Sequence, residues 1–206
     1  MMYTVKPDLN LKETARYLGY GNKPLDAETE KIAEEMYKML SPQVKIWHTE
    51  CDVEISGNTV SLSGLAFESF DLVKNLKGAK KAVLFGATLG LDFDRLMQKI
   101  EILSPAKAAV LQAVGTAAIE DGCDTFCVLL GKTRPRFSPG YGDLSLSAQK
   151  DIFNFLDLER RLGITLTQSL LMVPKKSVTA IVGLGEGTCA SGCKNCIHPC
   201  TFRKEE

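Results

Sequence analysis

The stretch Arg134-Pro135-Arg136-Phe137-Ser138-Pro139-Gly140-Tyr141-Gly142-Asp143 constrains this chain more than any other. Two prolines fix φ at their own positions and push Arg134 and Ser138 toward extended backbone. Gly140 and Gly142 supply a bend and leave bare backbone that a ligand can approach closely. Where the native geometry suits it, each proline spares about 0.4–1 kcal/mol of ordering cost. Arg136 offers a planar fork of donors for a carboxylate or phosphate, and Tyr141 offers a flat face for a ring or a cation. A stiff loop carrying Arg-x-x-x-Gly-Tyr suits a small, partly anionic ligand. The same residues also suit a proline-fixed turn between helices, with Arg136 in a surface ion pair.

The remaining sequence narrows the class of protein. At 206 residues, with 45% apolar and 24% charged side chains, the chain can bury a sizeable core. Lys+Arg and Asp+Glu are 25 each and no basic run occurs, which argues against nucleic acid as a partner. No apolar run approaches a membrane span and the N-terminus lacks a signal-peptide pattern. Seven cysteines without a secretory signal point to a reducing cytoplasm, where metal ligation or free thiols are the expectation.

In chain order, residues 1–25 read as an arm with a short helix around Leu11–Leu18. Asp26 caps a second helix whose apolar face is Ile32, Met36, Tyr37 and Leu40, stopped at Ser41-Pro42. Alternation from Val44 to Ser63, with a Ser56-Gly57-Asn58 turn, predicts an antiparallel hairpin. A short helix at Asp71–Leu76, a strand at Ala82–Phe85 and an amphipathic helix at Asp92–Ile100 follow. The intervening Gly86–Gly90 stretch matches neither the P-loop nor the Gly-x-Gly-x-x-Gly spacing, so it reads as a structural turn. Ser104-Pro105 starts a long alanine-rich helix, in which Gly115 and Gly122 each cost about 1 kcal/mol relative to alanine. Cys123 and Cys127 on that helix read as buried small hydrophobes rather than ligands. Ser147 is expected to cap a helix with a stripe of Ile152, Phe155, Leu156 and Leu162 that stops at Gly163. Leu170–Val173 and Val178–Leu184 read as strands. The mixture predicts an α+β fold.

The tail carries a second signal. Cys189, Cys193, Cys196 and Cys200 are spaced Cys-x3-Cys-x2-Cys-x3-Cys, and four thiolates this close can enclose one metal ion or an iron–sulfur cluster. Glycines 185, 187 and 192 permit the tight wrapping. His198 sits in the same loop as an alternative ligand. A tail of free thiols is the bland reading, and His48 has no sequence partner.

Arg136-Phe137-Ser138-Pro139-Gly140-Tyr141 resembles the S-adenosylmethionine-binding motif of the activation (reactivation) domain of cobalamin-dependent methionine synthase. The resemblance runs on through Leu158-Glu159-Arg160-Arg161-Leu162-Gly163-Ile164-Thr165-Leu166-Thr167-Gln168-Ser169 and Met172-Val173-Pro174-Lys175-Lys176-Ser177-Val178. It reaches back along the helix ending near Glu120, and so covers roughly residues 104–180 in the family's order. It implies a C-shaped single α+β domain, residues 1–187, around a twisted antiparallel sheet with flanking helices, followed by the Cys-rich tail, 188–206.

The resemblance also implies a role. The domain presents S-adenosylmethionine to a partner's oxidised cobalamin while an electron arrives, and the methyl group passes to cobalt. Arg136 would bind the methionine carboxylate, with Ser138, Pro139, Gly140 and Tyr141 walling the site. The family's ligand-side glutamate aligns near Thr116, with Glu120 one turn on. No general acid or base is needed, because the leaving thioether is neutral and in-line positioning dominates. The expected partners are a cobalamin-binding methionine synthase or other corrinoid protein and a flavodoxin- or ferredoxin-type electron donor, this chain acting as a separate activation subunit. Within that role a [4Fe–4S] cluster suits the cysteines better than zinc, which cannot carry an electron. Two rivals stand beside it. One is a non-catalytic corrinoid-protein adaptor or metal-binding module. The other is a radical S-adenosylmethionine enzyme, whose signature the first three tail cysteines match in spacing but not in setting.

Overall fold

Apolar and polar residues alternate from Val44 onward, and this run becomes the strand around which the sheet is built. β2 (Val44–Ser56) is paired along nearly its whole length. β5 (Lys81–Thr88) covers one edge antiparallel, from Lys45↔Thr88 to Asp52↔Lys81. The other edge is shared: β1 (Met2–Val5) takes Val44–Trp47, and β3 (Thr59–Leu62) takes Val53–Ser56 after a turn at Gly57. β4 (Leu65–Glu68) and β8 (Ser177–Gly183) complete a curled antiparallel sheet of order β4-β3-β2-β5-β8, while β6 (Thr165–Leu166) and β7 (Met172–Val173) form a separate ribbon. These statements come from a computed structural model that describes residues 1–185. The α+β expectation with a twisted antiparallel sheet therefore holds.

Period-two alternation sends successive residues to opposite faces, and both faces are covered. Val44, Ile46, Val83, Phe85, Ala87, Ala180 and Val182 face one core, built with α1 (Leu11–Tyr17), α2 (Ala27–Leu40), α4 (Leu91–Leu103) and α5 (Pro105–Leu129). Cys51, Ala82, Leu84 and Ile181 face the second, built with α3 (Phe70–Leu76), α6 (Ala148–Leu156) and α7 (Leu158–Leu162). Phe85, Phe93 and Phe126 are among the largest fully buried side chains, each stabilising by about 1.5–3 kcal/mol relative to exposure.

α5 is the central helix of the first layer. Ser104 caps it by accepting from the Lys107 amide, and Pro105 begins it. Its two interior glycines are sites of close packing. A Cβ on Gly122 would lie 2.5 Å from Val44 Cγ2, and one on Gly115 would fall on the Phe93 ring. Helix propensity alone predicts that Gly115→Ala stabilises by about 1 kcal/mol. The contact reverses the sign, since overpacking costs about 1–3 kcal/mol. Urea denaturation should show a lowered midpoint at unchanged slope, and a raised midpoint would refute the packing argument.

Several local expectations need correction. β1 arises in what reads as an arm, because its pairing partner lies about forty residues away and leaves no local signal. Ser147 gives α6 no side-chain cap; its amide is bonded to Ser145 Oγ (3.2 Å) instead. That helix also does not continue to Gly163. Asp157 takes a left-handed conformation (φ 52°), ending α6 and allowing α7 to start in a new direction. Most of the glycine stretch after the Ala82 strand is strand as well, with only Gly90 turning at φ +77° before α4. Strand structure in the Leu170–Val173 run is confined to β7, since Leu170 has φ 64°. The expected metal ligands Cys189, Cys193, Cys196 and Cys200 lie outside the described residues.

Candidate ligand-binding site

The proline-rich loop runs beside the open edge of β8 and adds to it in part. Phe137 and Ile181 exchange backbone hydrogen bonds of 2.9 and 2.8 Å, and the Arg134 amide donates to Gly183 O at 2.9 Å. A bridge pairs Thr133 with Leu184. On its other side the loop grips α3. Arg134 is buried and its Nη1 donates to Asn75 O (2.6 Å), while Asn75 Nδ2 donates to Pro135 O (3.1 Å). The loop's two arginines thus have separate tasks: Arg134 is structural and Arg136 faces α5.

Beyond Pro139 the chain closes into a turn, with the Gly140 amide donating to Leu144 O (2.9 Å) at φ +88°. Asp143 then caps α3. Its carboxylate accepts from Ser69 Oγ, from the Phe70 amide (2.8 Å) and from the Asp71 amide (3.2 Å). The Ser69 hydroxyl, ahead of those amides, holds this carboxyl below the usual carboxylate range. Such a cap contributes about 1 kcal/mol. Asp143→Ala should lower thermal stability by that order at neutral pH. Because the folded-state pKa is depressed, the contribution should fade as pH falls through the acid range. A mutant–wild-type difference that persists at pH 2 would contradict the capping role.

Arg136 is largely buried, with 19% of its side chain exposed. Its Nη2 donates to Glu120 Oε2 (2.8 Å) and Asp124 Oδ1 (2.7 Å), acids one turn apart on α5. Among the described residues, Nε and Nη1 have no protein partner. The ion-pair reading and the ligand reading of Arg136 are therefore compatible: one nitrogen is anchored and the fork's other donors remain open. Tyr141 is 60% exposed, with its ring edge-on to Phe137 at 6.4 Å between centroids. Ser138 contributes its carbonyl to the Tyr141 amide (3.0 Å), and Pro139 holds the turn between them. Arg136 thus turns toward α5, while Phe137, against which Tyr141 rests, packs on the second core.

Thr116, one turn before Glu120, does not face Arg136. It accepts from Lys176 Nζ (2.6 Å) and donates back to Gln112 O (2.8 Å). Lys176 is 8% exposed, and its ammonium lies 5.3 Å from the centre of the Phe93 ring. Burial lowers its pKa to about 8, against the opposing pull of Asp94 and Glu120. Asp124 and Lys176 are the residues that the sequence reading did not place here. Asp124 follows Glu120 at the helical i+4 spacing. Lys176 continues the Val178, Ala180, Val182 face of β8, which is the face turned to α5.

Other candidates fall away from this site. Cys123 is fully buried and its thiol is pushed far up by burial; burial raises Cys127 to about 11. His48 stacks between Tyr3 and Phe126, at 5.4 and 5.2 Å, and both ring nitrogens are buried without hydrogen-bond partners. Among the described residues no cluster of His, Cys, Asp and Glu could hold a metal ion, and no helix is long and apolar enough to cross a membrane.

The comparisons with known proteins bear on the same region. Residues 133–188, which contain the loop and β8, match the family model for the activation domain of vitamin B12 dependent methionine synthase. A crystal structure of the MetH reactivation domain bound to AdoHcy superposes with a TM-score of 0.63 at 15% identity, covering 89% of this chain and 78% of that chain. No curated protein matches the chain in sequence. The resemblance carried by Arg136–Tyr141 and Met172–Val178 is borne out: the segment matches the activation domain of vitamin B12 dependent methionine synthase, in a chain whose fold is similar to that of the MetH reactivation domain.

Proposed function

We propose that this protein binds S-adenosylmethionine at the Arg136–Tyr141 loop and presents its methyl group to cobalamin held by a partner protein. The observation that carries the reading is the half-spent guanidinium of Arg136, anchored through Nη2 and, among the described residues, open at Nε and Nη1. A charge-assisted bond from one of those free donors to a carboxylate oxygen suits this arrangement. The adjoining acids Glu120 and Asp124 exceed the one arginine in charge, which suits the ammonium or sulfonium of the same ligand. Tyr141 supplies an exposed ring, while Gly142 is packed against Asp71 of α3, where a Cβ would fall on the Asp71 carboxylate.

The chemistry asks little of this chain's side chains. One electron and the methyl cation of S-adenosylmethionine are delivered to cob(II)alamin, and S-adenosylhomocysteine leaves as a neutral thioether. What the protein supplies is orientation of the sulfonium toward the partner's cobalt. The partner class is a cobalamin-binding methionine synthase or a related corrinoid protein, with a flavodoxin- or ferredoxin-type donor. Cys189, Cys193, Cys196 and Cys200 are proposed to hold a [4Fe–4S] cluster, or zinc as a structural clip. Iron and zinc content of anaerobically purified protein decides between them.

The test uses a cobalamin-loaded methionine synthase that lacks its own activation domain, started as cob(II)alamin with methyl-labelled S-adenosylmethionine and a reductant. Label on cobalt that depends on this protein is the expected result. Ligand binding without transfer would favour the adaptor reading, and 5′-deoxyadenosine as product would favour the radical enzyme.

A further inference from the structure

A buried cation without an acidic partner is expensive, and the chain has one in Lys176. Its ammonium has three donors. Thr116 Oγ1 takes one at 2.6 Å, and because that hydroxyl donates to Gln112 O, it presents a lone pair to the lysine. The Phe93 ring, 5.3 Å away, offers only its face. No carboxylate comes within ion-pair distance among the described residues. Asp94, next to Phe93 on α4, instead receives the Lys175 amide on both oxygens, at 3.3 and 3.1 Å. Two ammonium donors are therefore unspent.

The position gives this surplus a direction. Gln112, Thr116, Glu120 and Asp124 recur every fourth residue and form one stripe along α5. Lys176 is bonded to the second member of the stripe and Arg136 to the last two. One helical turn advances about 5.4 Å, so the two cations are seated on neighbouring turns of one polar stripe, with Glu120 beside both.

We propose that Lys176 is a second ligand-binding cation, held by Thr116 so that its ammonium takes one oxygen of the ligand's amino-acid carboxylate while the open donors of Arg136 take the other. The ligand's ammonium then meets Glu120. This deepens the S-adenosylmethionine reading and rests on it. A zwitterionic amino-acid end would find a complementary pattern of cation, anion and cation along the stripe, and an adenosine lacking that end would not use Lys176 at all.

The test is calorimetric titration of wild type, Lys176→Met and Thr116→Val with S-adenosylhomocysteine and with 5′-methylthioadenosine, which lacks the amino-acid end. Lys176→Met should weaken S-adenosylhomocysteine about tenfold, the loss of one charge-assisted bond, and leave 5′-methylthioadenosine within about twofold. Thr116→Val, which frees the ammonium from its seat, should cause a smaller loss in the same direction. Unchanged affinity in both variants, or equal losses for both compounds, would overturn the assignment while the S-adenosylmethionine reading stood. Failure of the wild type to bind either compound would overturn both.

Discussion

Arg136→Ala is expected to abolish reactivation and to weaken S-adenosylhomocysteine binding tenfold or more, while the fold survives. The binding loss follows from removing a charge-assisted contact, about 1.5–3 kcal/mol. The effect on stability is a separate matter. Arg136 is paired with Glu120 and Asp124, whose side chains are 36% and 56% exposed. Water can solvate both carboxylates when the guanidinium goes, so the folding cost should stay near that of a surface ion pair, about 1 kcal/mol or less. The loop itself remains held by the Phe137–Ile181 and Arg134–Gly183 hydrogen bonds, none of which involves the Arg136 side chain. Calorimetry and thermal melts on the same sample read the two effects separately. Normal binding with an unchanged melt would show that Arg136 is only a structural ion pair. Weak binding with a collapsed melt would mean that the guanidinium holds the loop together.

The contrast between the loop's two arginines shows what the sequence could and could not say. Proline and glycine spacing made the stiff turn legible, because their constraints on φ act locally. That Arg134 would turn inward and tie the loop to α3 was not legible. Arg134 is drawn inward by the Asn75 carbonyl, a partner 59 residues away. The same limit separates the hairpin, whose Gly57 turn is local, from β1, whose pairing with β2 is not. Asp157 ends α6 by adopting a left-handed conformation without being glycine, so no breaker marked the boundary. Within the site, the stripe on α5 could be read from its period of four, and Lys176 from its place on an alternating strand. Their meeting depended on β8 packing beside α5, and that is a tertiary fact.

The same lysine should make the protein less stable than it need be. Lys176→Met keeps most of the buried stem's volume and removes the charge, so the variant should be more stable than wild type by about 1–3 kcal/mol at neutral pH, since each unit of pKa displacement corresponds to about 1.4 kcal/mol. The dominant cause is burial. Asp94 and Glu120 oppose it without cancelling it, and Lys175 adds to it. The sign with pH follows from proton counting. Between the folded-state pKa of about 8 and the ordinary 10.5, the unfolded chain binds more protons at this position than the folded one. Stability contributed by this group therefore rises with pH across that window and is level on either side. The advantage of Lys176→Met should be full below about pH 8 and shrink toward pH 10.5. Urea denaturation of both proteins at pH 7, 8, 9 and 10 measures it directly. A variant that loses stability at pH 7 would mean that the Thr116 bond and the Phe93 contact outweigh burial of the charge. A variant that gains stability and at the same time loses affinity for S-adenosylhomocysteine would show a cation kept at a cost to the fold because the ligand requires it.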